Sequence, residues 1–254
     1  MSEEPLDLSL DPDTANLMTF LGRRQCGKSR AAAFFVDSYP FDRVVIDPNG
    51  DMERKGDVDL REAIMLVPPI PSVKMLDDGT GRYPPPPAPW PWDTAGPVTL
   101  HYVPDLSSAT EREDTDAVVR LAYARGRCLL LVDELLRVAE ANRTLPAMDL
   151  TLQQFRHRDE TVVLCGPRPV GINPLAITQA DLVFLFRMRG IQDRKRIAEL
   201  TGLDLETVTG LLMNLPRYES IVLDDRGGGD ADGETVIVSL PPLPAPHRHP
   251  VPNL

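Results

Sequence analysis

Short, wholly apolar runs recur along the chain, and each is closed by a glycine, an aspartate or a polar turn. They fall at residues 17–21 (LMTFL), 43–46 (RVVI), 98–103 (VTLHYV), 127–132 (RCLLLV), 161–165 (TVVLC) and 181–187 (DLVFLFR). Runs of this length without alternation are the pattern of strands covered on both faces. A further short strand is expected at 63–67 (AIMLV).

Between the runs lie segments of helical spacing or propensity: 29–36, 110–124, 135–142, 148–157, 191–200 and 205–214. The helix at 110–124 opens on acidic residues and closes on a basic one, which complements its dipole. Strands alternating with helices predict an α/β fold, a mostly parallel sheet with helices on both faces. The last apolar runs, 218–223 and 235–240, flank a glycine-rich turn at 226–233 and predict a β-hairpin.

Composition divides the chain. Its 26 prolines cluster between residues 67 and 98 and again after 240, so they punctuate the fold rather than dilute it. Residues 1–15 are acidic and lack periodicity, which predicts a flexible arm. Residues 16–240 are expected to form a single domain, interrupted at 68–97 by an insertion carrying both tryptophans, Trp90 and Trp92, and followed by a Pro-rich tail at 241–254. Prolines at that density favour extended geometry without backbone donors.

The net charge is −11, which argues against a surface that coats nucleic acid everywhere. It leaves room for a ring that presents a few basic side chains to DNA in a central channel. Cys26, Cys128 and Cys165 show neither disulfide nor metal spacing and read as reduced core thiols. No stretch reaches the length needed to cross a bilayer, so an intracellular, soluble protein is expected.

The first strand runs directly into Gly22-Arg23-Arg24-Gln25-Cys26-Gly27-Lys28-Ser29, which fits the phosphate-binding loop G-x-x-x-x-G-K-[ST] and is followed by Arg30 at the head of a helix. The glycines let the backbone curl so that successive N–H groups face the α- and β-phosphates. Lys28 is placed to reach the β- and γ-phosphates, and the Ser29 hydroxyl to ligate Mg²⁺. The run LLLVDE supplies the complementary half. Asp133, at the end of a buried strand, is the candidate Mg²⁺ ligand beside Ser29, and Glu134 the candidate base for the attacking water. A glutamate at that point indicates an ATPase, and no N-K-x-D motif that reads guanine is present.

The order of these landmarks resembles the FtsK–HerA superfamily of DNA-translocating P-loop ATPases. The resemblance runs through GRRQCGKS, VVIDPNGD, LLLVDE, FRHRDETVVLCGPRP and ADLVFLFR, and covers residues 17–240. It implies a RecA-like, ASCE-type sheet, ATP and Mg²⁺ as cofactors, and a homo-oligomeric ring, a hexamer, around double-stranded DNA. It also implies an arginine reaching the neighbouring subunit's site, which aligns with Arg156, Arg158 standing close behind. Arg187 is a weaker candidate for a phosphate sensor. One departure stands out. Where the superfamily has T-Q-R-P this chain has Gly166-Pro167-Arg168-Pro169, so the sensing glutamine is replaced by a side chain that cannot hydrogen-bond.

A minimal, single-domain version of this ATPase resembles the genome-packaging ATPases of tailless, membrane-containing double-stranded DNA viruses. That implies a location in the host cytoplasm or at the virion vertex, with capsid vertex proteins as further partners. The alternatives are a P-loop enzyme without a motor role, such as a nucleotide or small-molecule kinase, and an assembly protein that binds ATP with little turnover.

Overall fold

The computed structural model describes residues 14–50, 52, 57–59, 96–226 and 236–243. The strand expected at 63–67, both tryptophans, nearly all of the 68–97 insertion, the glycine-rich turn beyond Arg226, most of the acidic arm and most of the tail lie outside these residues.

The described strands form one nine-stranded sheet. In chain order they are β1 (Leu17–Leu21), β2 (Arg43–Ile46), β3 (Val58–Asp59), β4 (Thr99–Tyr102), β5 (Leu129–Asp133), β6 (Thr161–Gly166), β7 (Leu182–Phe186), β8 (Ser220–Asp224) and β9 (Val236–Leu240). Their spatial order is β3-β4-β2-β5-β6-β1-β7-β8-β9. From β3 to β7 every pairing is parallel; β8 and β9 add to the β7 edge as the expected antiparallel hairpin. β6 therefore stands between the strand that ends in the phosphate loop and the strand that ends in Asp133.

Because successive side chains point to opposite faces, one strand feeds two cores. Met18 and Phe20 of β1 join Leu129 and Leu131 of β5 under helix α1 (Lys28–Ser38). Leu17, Leu21, Leu130 and Val132 join the opposite core, covered by α2 (Glu111–Arg125) and α3 (Pro146–Gln154). The α1 layer is aromatic: Phe20 stacks on Phe184 with centroids 4.2 Å apart, and Phe35 meets Phe184 at 5.5 Å and 66°. Ala31, Ala32 and Ala33 keep α1 close to the sheet. After the short α4 (Leu175–Thr178), helices α5 (Ile191–Thr201) and α6 (Leu205–Met213) complete the second layer, α6 capped by the Asp204 carboxylate accepting from Thr207 N–H at 2.8 Å.

One expected helix is not there. Residues 135–142 form a single 3-10 turn, Leu135–Arg137, and then leave helical geometry. Their backbone groups are taken by distant partners instead: Leu145 N–H donates to Val138 O, Asn173 N–H to Ala139 O, and Ala141 N–H to Gly171 O. Those bonds outweigh the local preference. The helix expected at 148–157 begins earlier, with Pro146 in its first turn, and passes into a 3-10 turn at Phe155–Arg158. β3 and α4 were not expected; both are too short to leave a periodic signal.

Candidate nucleotide-binding site

The site lies at the carboxyl edge of the parallel strands, where such folds bind ligands. The loop after β1 is held close to its neighbours. Gly22 N–H donates to Gly166 O at 3.3 Å, and a Cβ on Gly22 would lie 2.6 Å from the Phe186 Cβ, so no larger residue fits. Gly27 has φ 108°, which a side chain rarely tolerates. Arg23, Arg24, Gln25 and Arg30 are exposed along the rim, while Cys26 is buried beneath it. Burial pushes the Cys26 thiol up.

Lys28 is nine-tenths buried, and its ammonium donates to Gly22 O at 2.8 Å and Arg23 O at 3.1 Å. The loop's own carbonyls thus hold the cation in the mouth that the loop encircles. Ser29 follows Lys28 in the first turn of α1, and its hydroxyl lies 3.3 and 3.2 Å from the two Asp133 oxygens. Residues 104 positions apart in sequence meet here because β1 and β5 are separated by a single strand.

Asp133 is pushed up to about 6, first by burial and then by the nearby Asp47 charge, against the Ser29 hydrogen bond and the Lys28 charge. A carboxylate short of countercharge beside a hydroxyl is a hard-oxygen set that suits Mg²⁺, which takes few protein ligands and completes its shell with water and phosphate. Among the described residues there is no cluster of three or more His, Cys, Asp or Glu side chains of the kind that holds a metal unaided. Glu134 is partly exposed at φ 77°, a left-handed conformation that costs a non-glycine residue energy and turns the chain sharply out of β5.

Two features escaped sequence reasoning. Asp47, at the end of β2 beside β5, is fully buried; its oxygens accept from Asn49 N–H at 3.1 Å and Met52 N–H at 2.7 Å, and face the His101 Nε2 at 3.4 Å. Burial alone would push its carboxyl up, but the His101 ring and the two N–H groups outweigh it and hold the carboxyl below its usual value. The histidine inside the strand-like run VTLHYV was the signal for His101. The second feature is the turn before β8. Arg217 Nε donates to Gln25 O at 3.3 Å, its guanidinium lies 4.6 Å from the Tyr218 ring centroid, and the Tyr218 ring packs against Gly27.

The arginines fall at opposite ends of the sheet. Arg187, at the end of β7, donates to Met213 O at 3.2 Å. Arg156 and Arg158 precede β6 and so lie at the amino edge, a strand length of about 15–20 Å from the chain's own phosphate loop. Arg158 is spent on the end of α2, donating to Tyr123 O and Ala124 O at 2.9 and 2.6 Å. Arg156 is half exposed, paired with Asp181 at 2.6 Å. Pro167 follows Gly166, the last residue of β6, whose carbonyl accepts from Gly22 N–H.

A parallel sheet of this order, with a glycine-rich loop after β1, an aspartate ending β5 and a strand between them, is the P-loop NTPase fold of the ASCE type. No protein-family model and no curated protein sequence matches the chain. Among solved structures it is similar to the genome packaging NTPase B204 from Sulfolobus turreted icosahedral virus 2. In complex with sulfate that protein matches with a TM-score of 0.62 at 16% identity, over 93% of this chain and 100% of the other. In complex with AMPPCP it matches at 0.59 and 16%, over 92% and 100%. The DNA-packaging ATPase B204 from Sulfolobus Turreted Icosahedral Virus matches at 0.57 and 16%, over 91% and 99%. At this identity the likeness is one of fold, and the FtsK–HerA resemblance read from the motifs fits it. Among the described residues no helix is long and apolar enough to cross a membrane.

Proposed function

We propose that the chain is an ATP-hydrolysing double-stranded DNA translocase that packages a viral genome, working as a homo-oligomeric ring at a capsid vertex or in the host cytoplasm. The observation that carries this reading is the meeting of Ser29 with Asp133 at 3.2 Å beside Lys28, within a fold that packaging ATPases share along nine-tenths of the chain. In it, the loop from Gly22 to Arg30 binds the triphosphate and Lys28 neutralises charge at its β- and γ-phosphates. Ser29 and Asp133 hold Mg²⁺, which supplies charge compensation on the phosphates. Glu134 takes a proton from the attacking water. Arg156, exposed at the far edge of the sheet, reaches the site of the next subunit, exchanging Asp181 for the γ-phosphate.

A second reading rests on Pro167. Without a side chain that hydrogen-bonds at that point, nucleotide binding drives assembly with little turnover.

One set of rates separates the two. The motor reading expects ATP hydrolysis that rises with added double-stranded DNA and a Glu134→Gln variant that binds ATP but turns over about 10²–10⁴-fold more slowly. It also expects mixtures of Glu134→Gln and Arg156→Ala, each inactive alone, to regain activity through shared sites. A rate indifferent to DNA, with no recovery in the mixture, refutes the motor.

A further inference from the structure

Asp47 has no part in the chemistry proposed above, yet the sheet sets it beside a residue that does. β2 and β5 pair in parallel with Ile46 opposite Val132, so the residues that follow, Asp47 and Asp133, stand level at the carboxyl edge, one strand spacing of about 4.8 Å apart. They also project from the same face. Val45 and Leu131, two residues earlier on the two strands, both lie in the core beneath α1, and alternation puts Asp47 and Asp133 on that side as well. Ser29, in the first turn of α1, approaches from there and meets Asp133 at 3.2 Å.

A fully buried carboxylate destabilises a fold unless it is paired or hydrogen-bonded. Asp47 is satisfied by N–H groups. Its Oδ1 accepts from Asn49 N–H at 3.1 Å and its Oδ2 from Met52 N–H at 2.7 Å, with His101 Nε2 3.4 Å from Oδ2. Among the described residues no lysine or arginine forms an ion pair with it. These contacts favour the charged form and set no permanent cation against it. The charge reaches the neighbouring strand, because Asp47 helps to push the Asp133 carboxyl up.

We propose that Asp47 is an outer carboxylate of the metal site, a buried fixed charge that strengthens the hold of Ser29 and Asp133 on a divalent cation without touching it, while His101 and the Asn49 and Met52 N–H groups keep it in place. This rests on the phosphate-loop reading above and adds a positioning residue to it. The charges near Asp133 show the need. Lys28 offsets the charge of Asp133, and Glu134 is partly exposed, where water and salt screen it. Asp47 is the buried charge that leaves the balance negative. Mg²⁺ takes few protein ligands and keeps several waters, so a carboxylate one shell further out still acts on it.

The test is titration of the full chain with Mn²⁺, followed by electron paramagnetic resonance, in the presence of a non-hydrolysable ATP analogue. It is run at pH 8, where Asp133, raised to about 6, is ionised. Three proteins are compared: the native chain; Asp47→Asn, which removes the charge at little change in volume; and His101→Lys, which keeps the carboxylate and sets a permanent cation against it. The second variant decides the matter if the first fails to fold. The expected result is a loss of at least about tenfold in Mn²⁺ affinity in both variants. Affinity for the analogue in EDTA should stay within about twofold of native, a separation that damage to the loop would not produce. A smaller loss of Mn²⁺ affinity in a folded variant, or an equal loss of metal-free nucleotide affinity, overturns the proposal. Failure of the native chain to bind the analogue at all instead overturns the phosphate-loop reading, and this inference with it.

Discussion

Glu160, immediately before β6, gives the sharpest prediction about stability. It is completely buried, and among the described residues neither carboxylate oxygen has a hydrogen-bond partner. Burial pushes it up to about 8 from an ordinary 4.5, against the opposing charge of Arg158. Between those two values the unfolded chain has released this proton and the native chain still holds it, so raising the pH favours unfolding. The expected loss is about 1.4 kcal/mol per pH unit, or about 3 kcal/mol by pH 7. It stops growing above pH 8, where both states are ionised.

Glu160→Leu removes the proton and the unpaired oxygens at little change in volume. Its backbone N–H bond to Phe155 O survives. The variant should be more stable at pH 7 by roughly 3 kcal/mol, a rise on the order of 10 °C in the thermal midpoint. Asp133, also raised, titrates near 6 and adds its own slope below that. Urea midpoints at pH 6.5, 7 and 7.5 therefore isolate Glu160. An unchanged slope in the Leu variant over that window refutes the reasoning.

Gly27→Ala should lower ATP affinity at least about tenfold, because φ 108° is strained for alanine and its Cβ would lie 2.9 Å from the Tyr218 ring; titration with a non-hydrolysable ATP analogue measures it. Asp47→Asn should cost about 1–3 kcal/mol, since the amide replaces a carboxylate that accepts from Asn49 and Met52 and faces His101. Asp47 is held below its usual value, so that stability is present at neutral pH and lost on acidification, and urea midpoints of the two proteins should converge as the pH falls towards 3.

Much of this protein was legible in its letters. The phosphate loop announces itself because its chemistry demands fixed residues at fixed spacing, and buried parallel strands announce themselves because both faces must be apolar. Asp133 and Glu134 could be picked out since a wholly apolar run ended on them. Local information failed wherever long-range bonds overrode it. Residues 135–142 have helical composition, yet their carbonyls and N–H groups go to Leu145, Gly171 and Asn173. Arg156 and Arg158 looked alike in sequence. Only packing showed that Arg158 closes the end of α2 while Arg156 faces outward beside Asp181.

The sequence by itself supplied the residue types that a phosphate and a metal ion call for, because a glycine loop, a lysine, a serine and an aspartate are read by residue type. It did not determine who stands beside whom. The strand order put β6 between β1 and β5, set Asp47 and His101 behind Asp133, and folded Tyr218 over Gly27. Those are contacts between residues dozens to nearly two hundred positions apart, and no local pattern encodes them; the sheet's register does.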